Sequence, residues 1–386
     1  MDDLKVNYAG ISLDNPLMLA SATPGWDAKR LREAAKAGFG AVIPKTIGPP
    51  AEWAQHPRCG RMRIMRTGKT ATGMINLELF TTKTKDEWIE RDLRELREGA
   101  GPARIVASIL AMPDPEDTAR LAQEVTETGC ADMLELNVSC PMPTATVGMH
   151  IGKDPRLTAT QVEAVKSASP LPLAVKLTPN VSDLITVSLA AVEAGAEGLA
   201  ISNSVRAFAG VDVETGRPYL PAFGGYTGPA IKPIIQRLII EVLRSGIKVP
   251  IAAVGGVSTW RDIVEYIMIG ATVVQVASVV MWSGWQVVPR LLEGLRKFMA
   301  DHGYRSLDDF RGVALPHVQT IEEYSRRPRK RIGLDEDRCT RCGLCLRVCF
   351  YDALLEEAPN VKTDPEACDG CGLCVEICPV GALRLE

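Results

Sequence analysis

Residues 104–139 read RIVASILAMPDPEDTARLAQEVTETGCADMLELNVS, and this stretch decides the fold of most of the chain. An apolar run, Arg104–Leu110, gives way to Pro115–Thr128, where apolar residues recur at helical spacing before Gly129. A second apolar run, Met133–Ser139, follows. Strands that are apolar on both faces and joined through a helix lie parallel in a sheet covered on each side. Working outward in both directions, the same unit repeats. Strands are expected at Leu17–Ala22, Ala41–Thr46, Leu173–Thr178, Gly198–Ser204, Pro250–Gly256 and Val273–Ser278. Helices are expected at Asp27–Ala37, Thr158–Ala168, Val181–Ala194, Ile231–Ser245 and Thr259–Ile269. Eight strand–helix units over roughly 280 residues fit an α/β fold of the closed (β/α)8 TIM-barrel type better than an open sheet. Leu4–Asp14 alternates as a hairpin at the barrel's N-terminal end would, and an insertion, Gly48–Gly101, separates the second and third strands.

The end of the chain is of another kind. Eight of the eleven cysteines fall in two matching runs, Cys339-x2-Cys342-x2-Cys345-x3-Cys349 and Cys368-x2-Cys371-x2-Cys374-x3-Cys378, the second followed by Pro379. In this spacing three thiolates of each run hold one cubane and the fourth crosses to the other. Cys339, Cys342, Cys345 and Cys378 are therefore expected to hold one [4Fe-4S] cluster, and Cys368, Cys371, Cys374 and Cys349 the second. A disulfide scaffold would need an oxidising compartment, and a zinc ribbon uses two pairs rather than two quartets. The tail reads as a 2[4Fe-4S] bacterial-type ferredoxin domain, with Phe350 where the first run would usually carry proline. The expected division is a barrel over 1–312, a linker over 313–332 and the ferredoxin domain over 333–386. The basic run Arg326-Arg-Pro-Arg-Lys-Arg331 reads as solvated linker; the alternative is a docking strip for the clusters or an electron-donating partner.

With 44 basic against 47 acidic residues, the net charge of −3 gives no general attraction to nucleic acid or anionic membrane. The N-terminus, Met-Asp-Asp-Leu, has neither a basic n-region nor an apolar h-region, and no run approaches the ~18 apolar residues of a membrane span. A cytoplasmic protein is expected, with Cys59, Cys130 and Cys140 as thiols outside any disulfide.

Active sites of such barrels form at the C-terminal ends of the strands. Polar or glycine residues close several of the apolar runs: Ser21, Lys45, Asn137 with Ser139, Lys176, Asn203 with Ser204, Gly255-Gly256 and Ser278. Any one of them alone reads as a turn or cap; so many together read as a site. Two inward lysines call for an anionic or electron-rich group between them. The glycine pair after strand seven, with Ala277-Ser278 after strand eight, matches a phosphate cradle. A cofactor that converts single-electron steps into hydride chemistry would complete this set, and FMN is such a cofactor. Cys140 ends a strand before the loop Pro141–Pro155; it reads either as buried filler or as a proton donor opposite a hydride transfer, with His150 of the same loop as the rival acid.

Taken jointly, Leu19-Ala-Ser-Ala-Thr-Pro24, Pro44-Lys-Thr46, Ile75-Asn-Leu-Glu-Leu79, Leu134-Glu-Leu-Asn-Val-Ser-Cys-Pro141, Val175-Lys-Leu-Thr-Pro-Asn180, Ser202-Asn-Ser204, Gly224-Gly-Tyr-Thr-Gly228 and Val254-Gly-Gly256 resemble the flavin half of dihydropyrimidine dehydrogenase. The likeness is to the bacterial subunit that ends in the same ferredoxin tail, and more distantly to the dihydroorotate dehydrogenases. It implies FMN contact by Ser21, Lys45, Thr46, Lys176, Gly228, Val254, Gly255, Gly256, Ala277 and Ser278. It also implies substrate contact by Asn76, Glu78, Asn137, Ser139, Asn203 and Ser204, with Cys140 as proton donor. Chemically, a pyrimidine edge alternates carbonyl acceptors and N–H donors, which amides and one carboxylate can meet. Two departures stand out: the loop Met142–Met149 is shorter and more apolar than in that family, and Phe80 replaces a smaller aliphatic residue.

The activity so implied is reduction of the C5=C6 bond of uracil or thymine, with electrons arriving through the two clusters. No Gly-x-Gly-x-x-Gly follows a strand, so a separate NAD(P)H-oxidising flavoprotein subunit is expected as partner, within a homo- or hetero-oligomer. The rival readings are a dihydroorotate dehydrogenase or a reductase of another conjugated compound, and a noncatalytic electron carrier that merely binds flavin.

Overall fold

The computed structural model describes residues 4–48, 60–78, 81–141, 148–357 and 360–386, so Cys59, Phe80 and most of the 141–155 loop's apolar stretch lie outside the described residues. Two compact units divide between His317 and Val318. In the first, β1 (Leu17–Leu19), β2 (Ala41–Val42), β3 (Arg104–Leu110), β4 (Met133–Asn137), β5 (Leu173–Lys176), β6 (Gly198–Ile201), β7 (Ile251–Val254) and β8 (Val273–Val276) run parallel. Each pairs with the next, and β8 returns to β1 to close the barrel. Leu17, Leu19, Ile105, Leu134, Leu136 and Val274 are wholly buried, as strands enclosed on both faces must be.

Most strands stop short of the ends expected from the sequence. Thr46, Ser139, Thr178, Ser204, Gly256 and Ser278 all fall beyond the last ladder pair. The reason is local: past β4 and β6 the backbone finds other partners, with Ser139 N donating to Asn137 Oδ1 at 2.9 Å and Asn203 N to Leu177 O at 3.0 Å. The polar ends of the apolar runs thereby become loops at one rim of the barrel.

Helix starts follow their caps. Asp27, Asp114, Asp154 and Asp183 each accept a backbone N–H of the first turn, satisfying a donor that the helix itself cannot. Thus the helix expected from Thr158 begins at Pro155, directly after Asp154, and the one expected from Val181 begins at Leu184.

At the opposite rim, Val6–Tyr8 pairs antiparallel with Ile11–Leu13. Tyr8 is buried and its hydroxyl donates to Leu199 O at 3.2 Å, fastening this hairpin against the start of β6. The insertion after β2 forms a second hairpin, Met62–Thr67 with Thr70–Asn76, which Gly224–Thr227 and Val205–Ala207 extend to a four-stranded antiparallel sheet. Its register sets Asn76 opposite Gly225.

The first unit continues past residue 312, because Gly312 N donates to Ile267 O at 3.0 Å and Ala314 N to Met268 O at 2.9 Å. In the second unit Ile332–Leu334 pairs with Leu383–Leu385, and Leu354–Glu357 with Asn360–Thr363. Two short helices, Leu344–Val348 and Leu373–Ile377, repeat the same local structure. Among the described residues no helix is long and apolar enough to cross a membrane.

Replacing Tyr8 tests the hairpin. Tyr8→Phe is expected to lose about 1 kcal/mol with its hydrogen bond, and Tyr8→Ala about 3–5 kcal/mol with the buried ring, read as urea unfolding midpoints of the holoprotein.

Candidate active site

At the C-terminal ends of the strands a cleft opens, lined by residues from the barrel's rim and from the insertion after β2. Lys45, just past β2, and Lys176, the last residue of β5, both line it. Each arrives with its own carboxylate. Lys45 Nζ donates to Glu78 Oε2 at 2.8 Å, and Lys176 Nζ lies 3.3 Å from Glu135 Oε1. The two cations therefore do not by themselves demand an anionic ligand, contrary to the expectation from sequence.

Glu78 also accepts from Thr23 Oγ1 at 3.1 Å and pairs with Arg61 Nε. Burial alone would push its carboxyl up, but Lys45 and Arg61 outweigh burial and hold it down at about 2. Burial pushes the Lys45 ammonium down, against the pull of Glu78. The Glu78 contribution to stability is complete above the unfolded carboxylate value near ~4.3 and is lost as pH falls toward about 2. Near neutral pH the carboxylate is ionised.

A second feature is a chain of hydroxyls and amides across the strand ends. Thr46 Oγ1 shares hydrogen bonds with Ser21 Oγ at 3.3 Å and Ser108 Oγ at 3.0 Å, and accepts from Asn137 Nδ2 at 2.9 Å. Asn137 Oδ1 accepts from Ser139 Oγ at 2.8 Å, and Ser139 Oγ accepts from Asn203 Nδ2 at 2.9 Å. Asn203 Oδ1 then accepts from Ser204 N and Ser204 Oγ. Asn76 Nδ2 donates to Gly225 O, while its Oδ1 accepts from Glu78 N. Among the described residues each of these asparagines keeps one amide N–H for a ligand, whereas Asn137 and Asn203 have spent both acceptor lone pairs. The rigid set therefore presents donors to carbonyl oxygens.

Asn76, Glu78, Asn137, Asn203 and Ser204 line the cleft. Ser139 is fully buried behind it and props two asparagines instead. Val254, Gly255, Gly256, Ala277 and Ser278 form another part of the wall. Gly228 lies outside the lining, although its neighbour Thr227 belongs to it. At Gly256 φ is +79°, and a Cβ there would stand 2.7 Å from Lys232 Cα. This turn, beside the N-terminus of the helix Ser278–Ser283, is a backbone cradle that only glycine can form. A phosphate at the cradle and a planar ring toward Lys176 and the asparagines would fit the donor set, so the residues present suit FMN.

Cys140 is 7% exposed and lines the cleft. The loop returns over it at Gly148, where φ is +62° and a Cβ would stand 2.7 Å from Cys140 O; Met149 N donates to that same oxygen at 3.0 Å. His150 is exposed and does not line the cleft. Reading strand ends alone passed over Thr23, Arg61, Ser108, Glu135 and Gln275. For Ser108, Glu135 and Gln275 a signal exists, a polar residue inside an otherwise apolar strand; for Arg61 there is none, since its pairing depends on how the insertion folds back.

In the second unit Cys339, Cys342, Cys345 and Cys378 line one hollow, and Cys349, Cys368, Cys371 and Cys374 another. No three His, Cys, Asp or Glu side chains among the described residues close on a single ion. Quartets spread around a hollow suit a cubane rather than zinc. Ala382 N donates to Cys378 Sγ at 3.2 Å, the kind of hydrogen bond that tunes a cluster's potential.

Comparisons with known proteins agree with this geometry. The family model described as dihydroorotate dehydrogenase matches residues 3–299, and one described as a 4Fe-4S dicluster domain matches 330–385. The chain is 37% identical over 312 residues to the dihydroorotate dehydrogenase B (NAD(+)) catalytic subunit of Methanothermobacter thermautotrophicus, covering 81% of this chain and 98% of that protein. The corresponding subunit of Pyrococcus abyssi is 35% identical over 81% of this chain and 99% of its own length. The NAD-dependent dihydropyrimidine dehydrogenase subunit PreA of Escherichia coli K12 is 33% identical over 359 residues, 90% of this chain and 85% of that protein. Identity thus runs at least as high toward the dihydroorotate enzymes, which the sequence reading had set further away. The match to PreA, covering 90% of this chain, necessarily reaches into the cysteine tail.

Gly256→Val is expected to yield folded protein that retains little flavin, measured as flavin released by heat per polypeptide. Cys378→Ser is expected to lose one cluster and keep the other, read as iron content falling by about half and the EPR spectrum of the reduced protein lacking one cluster's signal.

Proposed function

The chain belongs to the dihydroorotate dehydrogenase family, oxidoreductases acting on CH–CH groups, with FMN and two [4Fe-4S] clusters as its cofactors, and from that premise we propose that it reduces the C5=C6 bond of a neutral pyrimidine, uracil or thymine. The observation that carries this reading is that each cation described at the cleft already has a carboxylate partner. The cleft's described lining holds Lys45, Lys176 and Glu78 as charged groups; Lys45 is committed to Glu78 and Lys176 to Glu135, while Arg61, behind them, is also spent on Glu78. Orotate would bring a further carboxylate to a wall on which, among the described residues, each cation already faces one, at a desolvation cost. Uracil brings two carbonyls, which the spare N–H groups of Asn76, Asn137 and Asn203 suit.

Held by Lys176, the Gly255–Gly256 turn and Ser278, FMN would supply single-electron exchange with the clusters and hydride exchange with a substrate carbon. The chain's own part is to orient the ring and to handle the proton. The amides fix the carbonyls, and the Glu78–Lys45 pair offers an acceptor edge to a ring N–H. The Cys140 thiol gives its proton to C5 as C6 is reduced, and regains one from solvent. The PreA-like length of the match, tail included, supports entry of electrons from a separate NAD(P)H-oxidising flavoprotein subunit. A second reading, oxidation of dihydroorotate, is favoured by the 37% and 35% identities to catalytic subunits of that name.

The two are separated by an anaerobic panel of uracil, thymine and orotate with an artificial low-potential donor: uracil or thymine is expected to be reduced, and preference for orotate would overturn the first reading. NADH alone is expected to support no turnover. Cys140→Ala should lower the rate on the order of 10²–10⁴-fold, whereas His150→Ala should leave it near normal; the reverse pattern would move the proton donor to His150.

A further inference from the structure

Beneath the cleft lies an ionic group that the chemistry above does not use. Glu135 sits in the middle of β4, 1% exposed, facing Lys176 at 3% and Gln275 at 0%. Gln275 Nε2 donates to Glu135 Oε2 at 2.6 Å, and Lys176 Nζ donates to Gln275 Oε1 at 3.4 Å. Glu135 Oε1 makes no hydrogen bond and is left looking at Lys176 Nζ, 3.3 Å away. The three side chains thus close a ring, of which Lys176 and Gln275 reach the cleft and Glu135 does not.

A buried ion pair is weak support for stability, because dehydrating two charges costs as much as their attraction returns; apolar side chains at positions 135 and 176 together would serve the barrel as well. What the carboxylate does accomplish is to hold Lys176 in place and to offset its charge. Lys176 lines the cleft in which FMN fits, so any negative charge gained there on reduction is stabilised by its ammonium and opposed by the carboxylate behind it. We infer that Glu135 and Gln275 are positioning residues that act through Lys176 to set the reduction potential of the bound flavin, with Glu135 keeping that potential low. The inference concerns the flavin alone and holds for either substrate reading.

The test is the flavin midpoint potential of the purified holoprotein, measured by dye-equilibrated anaerobic titration without any pyrimidine, with heat-released flavin as the check on occupancy. Glu135→Gln keeps the shape and removes the charge, and the midpoint is expected to rise. Lys176→Gln removes the ammonium through which both residues act, and the midpoint is expected to fall. Opposite shifts in two variants that both retain flavin are not an outcome of loosened packing. Wild-type potentials in both, or shifts of the same sign, would overturn the inference; should one variant fail to accumulate, the sign in the other decides. Because no substrate is present, a negative result here leaves the pyrimidine reading untouched, and failure of the substrate panel leaves this one untouched.

Discussion

A charge inside a closed barrel must bring its own counter-charge. The parallel ladder uses up the backbone groups, apolar side chains fill the middle, and water cannot reach a stranded ammonium. Lys45 and Lys176 satisfy the constraint in different ways. The first is matched from outside the barrel, by Glu78 on the insertion that follows β2; the second from within, by Glu135 on the adjacent strand. The cleft can therefore carry two lysines on its walls, each already faced by a carboxylate. Much else is arranged around this. Thr23 and Arg61 hold Glu78, Gln275 holds Glu135, and the four-stranded sheet brings Glu78 into reach.

The architecture was legible because its signals are local and repeated: apolar runs of strand length, amphipathic stretches between them, and cysteines at fixed spacing. The strand ends were read too long because polar residues such as Ser139 and Ser204 continue an apolar run in sequence while their backbone has already turned to side-chain and loop partners. Most of the strand-end polar residues do line the cleft, since a parallel barrel brings all its strand C-termini to one rim. Ser139 does not, and no sequence pattern separates a serine that faces a ligand from one that props the asparagines beside it. Pairings made across the fold, such as Arg61 with Glu78 or Gln275 with Glu135, were not legible for the same reason. They depend on which elements meet, and periodicity describes each element by itself.

In the ferredoxin unit the order of the cysteines has a folding consequence. Cys378 joins the hollow of the first run and Cys349 that of the second, so each quartet draws on both halves of the repeat. Neither half has a complete ligand set, and the small apolar cluster around Ile332, Leu354 and Leu383 is slight for a domain of this length. Iron–sulfur assembly and folding of the tail are then coupled, as in other small domains to whose stability metal ligation contributes.

The hairpin fastened by Tyr8 to Leu199 packs at the rim of the barrel away from the cleft. Among the described residues the cleft lies at the other rim, and what binds there enters and leaves on that side. A spent molecule must back out by the route its successor will take, so occupancy is a queue of one. Under saturating conditions the pace of the whole cycle is then open to being set by departure instead of by bond-making, and a product that lingers acts as its own inhibitor.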